Sequence, residues 1–596
     1  RMRTQDMLGI TDLYEERLKN LFSVECWGGA TFDVALRFLK EDPWERLEKL
    51  REQMPSALLQ MLFRGSNALG YTNYPDNVLR RFIQLSAQSG IDVFRIFDAL
   101  NWIENMRVSI DEVLKSGKIC EASICYSGDL SSPAEKKYTL DYYLKMAQKL
   151  EKMGVHFLAI KDMAGLCKPK AAKILFKELK KSIKIPIHFH THDTSGNGVA
   201  TLLNASEAGV DIVDVAIDSW SGFTSQPSFG AVLESLDGNK RDPKISSAVV
   251  RTAANYWEGV RKQYQPFESK TRTSMSEVYL HQMPGGQYTN LREQARSMGI
   301  TDERWPELAS MYAEVNKIFG DVIKVTPISK VVGDMAIYML ANNIQIQDVL
   351  DPKKDVGFPA SVIEFFSGRL GQPYKGFPKA LQKKILKGKK PINYRFGSKL
   401  PSLKIKNRTK ELEKKYSETI SEKDTISQIF FPEVFDEYIK HKKKFGNTSV
   451  IPTSNYFFGM NTGEEIYVSI EPGKTLIIRY FTLSEPNEKG YRTVYFELNG
   501  QARSVDIKDN SIAVDDLAKE IADPSNKDHV AAPIPGLLVD VAVTEGIKVP
   551  KGAKLCTIEA MKMETVIYAD QPGIVERLCV KAGENIEAQQ LLLIIK

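Results

Sequence analysis

Between residues 21 and about 220, short apolar runs alternate with longer amphipathic stretches. The runs are "FSVECWGG", "ALLQMLFRG", "IDVFRIFDAL", "CEASICYSGD", "HFLAIKDMAG", "IPIHFHTHD" and "DIVDVAIDSW". Between them apolar positions recur with helical spacing, as in "NVLRRFIQLSAQSG" and "KAAKILFKELKKS". Strand, helix, strand at intervals of about 30 residues predicts parallel βα units. Seven strands are visible, with a helix before the first. A (β/α)8 TIM barrel needs an eighth strand, which is expected ahead of residue 1, because "RMRTQDML" reads as a helix that the chain enters partway. The alternative, an open doubly wound sheet, would carry a Gly-rich phosphate turn after an early strand, and none is found.

The pattern then changes. Residues 1–239 are assigned to the barrel, and residues 240–450 read as a mostly helical extension, as in "SAVVRTAANYWEGVRKQY" and "ELASMYAEVNKIFG". Residues 451–508 switch to β spacing in "EEIYVSIEPGKTLIIRYFTLSE" and "RTVYFELNGQARSVDI". Residues 509–530 read as a charged, flexible tether, and 531–596 as a small β-sandwich. That last segment is duplicated at an offset of 37: Pro535–Gly536 match Pro572–Gly573, Val543 matches Val580, Gly546 matches Gly583, and Leu555 matches Leu592. "EAMKMET" lies between the copies and presents Lys562 on a tight hairpin, flanked by soft thioether side chains.

Composition narrows the class. Of 596 residues 43% are hydrophobic and 26% charged, as in ordinary globular domains, and the length calls for several of them. The net charge of +6 is small, and the basic runs "KGKKP" (387–391) and "KHKKKF" (440–445) lack interleaved aromatics, so no nucleic-acid partner is expected. No apolar run approaches the ~18 residues of a bilayer span and no secretory signal opens the chain, so no membrane partner is expected either. Six scattered cysteines with no CxxC predict reduced thiols and a cytoplasmic location.

The candidate chemistry clusters at strand ends: Glu25, Arg64, Asp98, Asp129, Lys161 with Asp162, His190 with His192, and Asp218. In a barrel these ends converge on one mouth. In "HFHTHD" the alternation of a strand puts His188, His190 and His192 on one face. His188 is expected to pack in the core, and His190 and His192 to chelate Zn²⁺ or Mn²⁺. For Lys161 three readings stand open: an ion pair to Asp162 or another carboxylate, a base of depressed pKa, or a carbamate.

"EAMKMET" resembles the attachment motif of biotin carrier domains, with Lys562 at the biotinylated position. With it, "WGGATFDVALRFLKEDPWERL", "LFRGSNALGY", "DVFRIFDALNW", "AIKDMAG", "HFHTHDTSGNG", "SGFTSQPS", "MPGGQYTNL" and "VTPISKVVGDMA" resemble the carboxyltransferase part of the pyruvate carboxylase family. The resemblance implies carboxyl transfer from carboxybiotin to pyruvate, giving oxaloacetate. It implies a divalent metal (Mn or Zn) held by a carboxylated Lys161, His190 and His192, and an aspartate from an "RDAHQS"-type motif that this chain lacks. It implies pyruvate binding by Arg64, biotin or pyruvate contact by Tyr71, and proton relay by Thr326. The 451–508 segment resembles part of the family's allosteric or tetramerisation domain. The implied partners are a biotin carboxylase domain, where alone ATP acts, a biotin protein ligase, and three further copies in a homotetramer. Two alternatives are carried: the α subunit of a biotin-dependent oxaloacetate decarboxylase, disfavoured by the β segment at 451–508 and the absence of a Pro/Ala-rich linker, and a non-catalytic carrier scaffold.

Overall fold

The structure is a computed structural model that describes residues 2–268, 273–487, 490–509, 520–524, 526–560 and 563–596. Seven parallel strands form one sheet in sequence order: β1 (Val24–Trp27), β2 (Leu59–Arg64), β3 (Val93–Phe97), β4 (Ile119–Cys125), β5 (Phe157–Asp162), β6 (Ile187–Thr191) and β7 (Ile212–Val213). At about 4.8 Å per strand a flat sheet would hold β1 and β7 about 29 Å apart. Yet Glu25 of β1 and Asp214, just past β7, bond the same guanidinium, that of Arg95 on β3. The sheet is therefore curled into a barrel wall with its side chains meeting inside.

The two quoted helical patterns form Asp76–Gln88 and Pro169–Ser182, and both bury one apolar face on the sheet. Phe176 from the second helix packs on the outward Phe189 of β6, with ring centroids 4.7 Å apart. Alternation therefore turns His188 and His190 inward.

The helical extension covers the barrel mouth. Five of its anchors fall on a loop or helix start that follows a strand. Asn73 donates to the carbonyl of Arg369 (2.8 Å) and Asn105 to that of Leu370 (3.3 Å). Lys137 donates to the carbonyl of Gly320, Gly285 N–H to that of Met163, and Met275 N–H to that of Thr194. Barrel and extension share one continuous apolar core. A short helix, Thr453–Phe458, still belongs to this body: Thr453 donates its hydroxyl to Asp6 (2.9 Å), and Gln5 donates to Thr453 (2.8 Å).

The β-rich part expected from 451 thus begins its sheet later, at Glu465. Its strands are β8 (Glu465–Glu471), β9 (Lys474–Leu483), β10 (Tyr491–Leu498) and β11 (Gln501–Lys508), antiparallel in that order.

The C-terminal domain contains β12 (His529–Ala531), β13 (Gly536–Val541), β14 (Lys548–Val549), β15 (Lys554–Ala560), β16 (Met563–Tyr568), β17 (Gly573–Leu578), β18 (Asn585–Ile586) and β19 (Leu591–Ile595). The offset of 37 reappears in the strand starts: β13 with β17, β14 with β18, β15 with β19. Two four-stranded sheets result, β16-β15-β13-β18 and β12-β19-β17-β14, so each copy lends its shortest strand to the other's sheet. The repeated Pro-Gly has a shared cause. A Cβ on Gly536 would sit 2.5 Å from the Glu559 carbonyl, and one on Gly573 the same distance from Ile595.

The tether reading of 509–530 needs correction at its C-terminal end. The Ala522 N–H donates to the Gln589 carbonyl, Leu591 N–H donates to the Glu520 carbonyl, and His529 and Val530 already lie in β12. Main-chain pairing has absorbed that stretch into the sandwich. β15 and β16 close on the pair Ala560–Met563; Lys562, with Met561, lies outside the described residues. Among the described residues no helix is long and apolar enough to cross a membrane. All six cysteines are unpaired.

Candidate active site at the barrel mouth

His190 ends the inward row of β6, and His192 follows it as the strand turns. The Nδ1 of His190 bonds Asp214 at 2.7 Å, and the Nδ1 of His192 bonds the Thr224 carbonyl at 2.6 Å. A carbonyl only accepts, so His192 must donate there, and a carboxylate acceptor asks the same of His190. Both Nε2 atoms then carry lone pairs, and they face one another at 3.2 Å. Two acceptors at that distance repel unless an electron-poor atom lies between them. Bonds of about 2.0–2.1 Å to a tetrahedral Zn²⁺ would set two nitrogens about 3.3 Å apart, so the pair fits a cation. Burial, reinforced by nearby Lys161, lowers the pKa of both rings, His190 well below its usual value and His192 to about 4. Neutral imidazole is the form a metal needs.

Lys161 stands beside them, paired in register with His190 on one side and Cys125 on the other. It is 6% exposed, with its Nζ 5.7 Å from the centre of the Phe97 ring. The ion pair to Asp162 is overturned: Asp162 accepts from Leu166 N–H (2.9 Å), Cys167 N–H (2.9 Å) and the Thr191 hydroxyl (2.9 Å). Among the described residues no carboxylate forms a salt bridge with Lys161. Burial lowers its pKa, moving the amine toward its neutral form. No group of three or more His, Cys, Asp and Glu side chains among the described residues is arranged around a metal.

Three other predicted mouth carboxylates also turn away to brace the backbone. Asp98 accepts from Leu100 N–H, Trp102 N–H and Asn105; Asp218 from Gly230 N–H and the Ser228 hydroxyl; Asp129 from Ser131 and from Lys168 at 2.6 Å. A carboxylate just past a strand meets the unpaired N–H groups of the next turn, and these bind it first.

Beneath the histidines lies a network that the sequence reading missed. Arg95 is fully buried in mid-strand and bonds Glu121, Asp214 (2.5 Å) and Glu25 (3.0 Å). His188, expected as a packed core residue, is buried but joins this network, bonding Glu121 and Asp214 at 2.7 Å each. Burial opposes its protonation, but the Asp214 and Glu121 carboxylates outweigh burial and raise its pKa to about 9. Asp214 therefore orients His190 with one oxygen and holds His188 with the other. The available signal was a charged residue inside an apolar strand, as in "VFRIF" and "IVDVAI".

Arg64 ends β2 and donates to the carbonyls of Leu69 (2.5 Å) and Gly70 (3.3 Å), with its guanidinium 5.5 Å from the Tyr71 ring centre. Tyr71 is 52% exposed, so one face of this pair is open. Thr326 is half-buried just before helix Ile328–Ala341 of the covering extension. No hydrogen bond joins it to the histidines, so the structure brings together Lys161, His190 and His192, and separately Arg64 and Tyr71. Gly285 of "MPGGQYTNL" explains part of that motif. A Cβ there would lie 2.8 Å from the Thr224 carbonyl and 3.0 Å from His192 Nδ1, so only glycine lets the extension close over that hydrogen bond.

Three family profiles match the chain: a conserved carboxylase domain at residues 278–479, an HMGL-like domain at 87–222, and a biotin-requiring enzyme domain at 528–595. Pyruvate carboxylase of Bacillus subtilis is 50% identical over 596 residues, and that of Staphylococcus aureus 47% identical over 597. Each alignment takes in 100% of this chain and 52% of the relative, so the chain spans about half the length of these relatives. The carboxyl transferase domain of Rhizobium etli pyruvate carboxylase superposes with a TM-score of 0.84 at 52% identity, covering 86% of each chain. That coverage and identity, with a biotin-type carrier fold at the C-terminus, place this chain in the pyruvate carboxylase family.

Proposed function

We propose that this chain carries out the carboxyl-transfer half of a biotin-dependent carboxylase: pyruvate and carboxybiotin give oxaloacetate and biotin. The observation that carries this is the facing pair of imidazole lone pairs, on His190 and His192, beside a buried lysine with no salt bridge, in a chain that ends in a biotin-type carrier. The Rhizobium etli domain has been solved with pyruvate and biocytin, which supports the same substrates here.

Lys562 would hold the biotin as an amide, and Lys161, as a carbamate formed from its neutral amine, would join His190 and His192 as a metal ligand. A bound Zn²⁺ or Mn²⁺ would supply Lewis-acid stabilisation of the enolate oxygen. Arg64 binds the pyruvate carboxylate and holds the enolate, in the open space beside Tyr71, whose ring offers a face to biotin or pyruvate. Thr326 takes the methyl proton of pyruvate and passes its own hydroxyl proton to N1 of biotin, so the relay carries no net charge. In balance, the N1–carboxyl bond and a methyl C–H break, while a C–C bond and N1–H form.

The wider setting follows the family: a biotin carboxylase domain using ATP and bicarbonate, a biotin protein ligase acting on Lys562, a homotetramer, and a cytoplasmic location. The test pairs two measurements on the intact protein. Intact mass with a metal assay should report biotin on Lys562, a labile CO₂ adduct and about one divalent ion per chain. Thr326→Ala should abolish biotin-dependent oxaloacetate decarboxylation while biotin stays attached; retained activity refutes the relay.

A further inference from the structure

The turn between helix Trp305–Ile318 and Thr326 is held by the barrel as much as by its own domain. Lys137 Nζ donates to the carbonyls of Gly320 (2.6 Å) and Asp321 (2.9 Å), and the Tyr138 hydroxyl donates to the same Asp321 carbonyl (2.8 Å). From the other side Asn316 donates to the Asp321 carboxylate (2.9 Å) and accepts from Val322 N–H (3.2 Å). Gly320 and Asp321 both sit at positive φ, 92° and 54°, so the clamp grips one defined backbone shape. Asp321 is five positions before Thr326.

The two clamping side chains are themselves fixed, and the route leads back to Lys161. One Glu135 oxygen accepts from the N–H groups of Lys137 (2.7 Å) and Tyr138 (2.8 Å), and the other accepts from Asp129 N–H (3.2 Å). The Tyr138 ring is buried edge-on against Tyr142, 5.4 Å between centres. The Tyr142 hydroxyl accepts from Asn101 (3.0 Å), whose amide also holds the N–H (2.8 Å) and carbonyl (2.9 Å) of Cys125. Cys125 pairs in register with Lys161, and the next residue, Tyr126, donates its N–H to the Lys161 carbonyl at 2.8 Å. One loop, 126–138, therefore starts bonded to Lys161 and ends gripping the turn that leads to Thr326.

We propose that Lys137 and Tyr138 are positioning residues: by clamping the 320–321 turn they set Thr326 at its working distance from the Lys161, His190 and His192 cluster. The proposal rests on the relay role of Thr326 given above. A hydroxyl that both takes and gives a proton works only within a narrow range of positions, and a displacement of about 1 Å can cost about 10²-fold in rate.

The experiment compares K137M/Y138F, K137R and T326A in the intact protein, assayed by biotin-dependent oxaloacetate decarboxylation. The double variant is expected to lose about 10²-fold in kcat. Its KM for oxaloacetate, biotin occupancy, metal content and melting temperature should stay at parental values, and K137R, which keeps the donors, should recover most of kcat. The clamp is refuted if the double variant keeps parental kcat while T326A is inactive. It is also refuted if lost activity comes with lost metal or a lowered melting temperature. Should the double variant fail to fold, Y138F alone must give about a tenfold fall in kcat at unchanged KM, and parental kcat in that variant overturns the proposal. If T326A itself stays active, the relay reading falls and the clamp with it.

Discussion

The barrel mouth and the carrier domain are held together by opposite means. At the mouth the clustered residues come from different strands, Lys161 from β5 and His190 from β6, with His192 just past it. Through Asp214, His190 is braced by a buried charge network with Arg95 at its centre. The carrier is held instead by apolar packing in two small clusters, with no buried ion pair among the described residues. Charge makes the first scaffold selective about partners. Duplication makes the second indifferent to everything but shape.

The sharpest way to break this contrast is Arg95→Leu. It leaves Glu25, Glu121 and Asp214 without their shared cation, and removing one partner of a buried ion pair costs about 3–5 kcal/mol. The barrel's denaturation midpoint should fall accordingly while the carrier's stays fixed, and calorimetry that resolves the two transitions checks both. A coupled fall of the carrier would refute the separation. The mirror experiment acts on the carrier. Leu555 and Leu592 are twofold mates, both fully buried. Truncating either to alanine should cost about 2–5 kcal/mol, by similar amounts, and leave the barrel unmoved. A large inequality would show that the duplication is one of outline and not of packing.

The smallest effect concerns pH. His188 has a folded pKa of about 9, above the usual ~6.5 of an unfolded chain. Its stabilisation is complete below about pH 6.5 and is lost as pH rises through 9. Between pH 6.5 and 8 the slope is read as the difference from His188→Gln, because Lys324, lowered by burial to about 8, begins to titrate there with the opposite sign. Across that window the barrel should lose about 1–2 kcal/mol, and His188→Gln should flatten the slope. A flat profile in the parent would mean that the ring is neutral.

The same contrast decides what could be read from residues alone. Period-2 spacing in "HFHTHD" was enough to put three imidazoles on one face, because a strand's alternation is local. The offset of 37 was enough to outline the sandwich, because each copy repeats its own apolar positions. What escaped was non-local. Asp214 and Arg95 could be flagged as charges in apolar strands, but the chain does not spell out that they meet over His188 from β3 and β7. Asp98, Asp162 and Asp218 were read as mouth groups because sequence gives the strand end, whereas the next turn's N–H groups decide which way each carboxylate faces. Glu520, Ala522, His529 and Val530 read as tether because they join the sandwich through main-chain atoms, which leave no side-chain signature.

The exchange of β14 and β18 between the two halves of the carrier has a mechanical corollary. Because each half is stitched into the other's sheet, neither can peel away alone, and the domain must travel as one bead. The repeat also maps Met563, at the start of β16, onto Asn526, three residues before β12. β12 and β16 thus lie in opposite sheets of the bead, so strain that enters through β12 falls first on the sheet that does not contain β16.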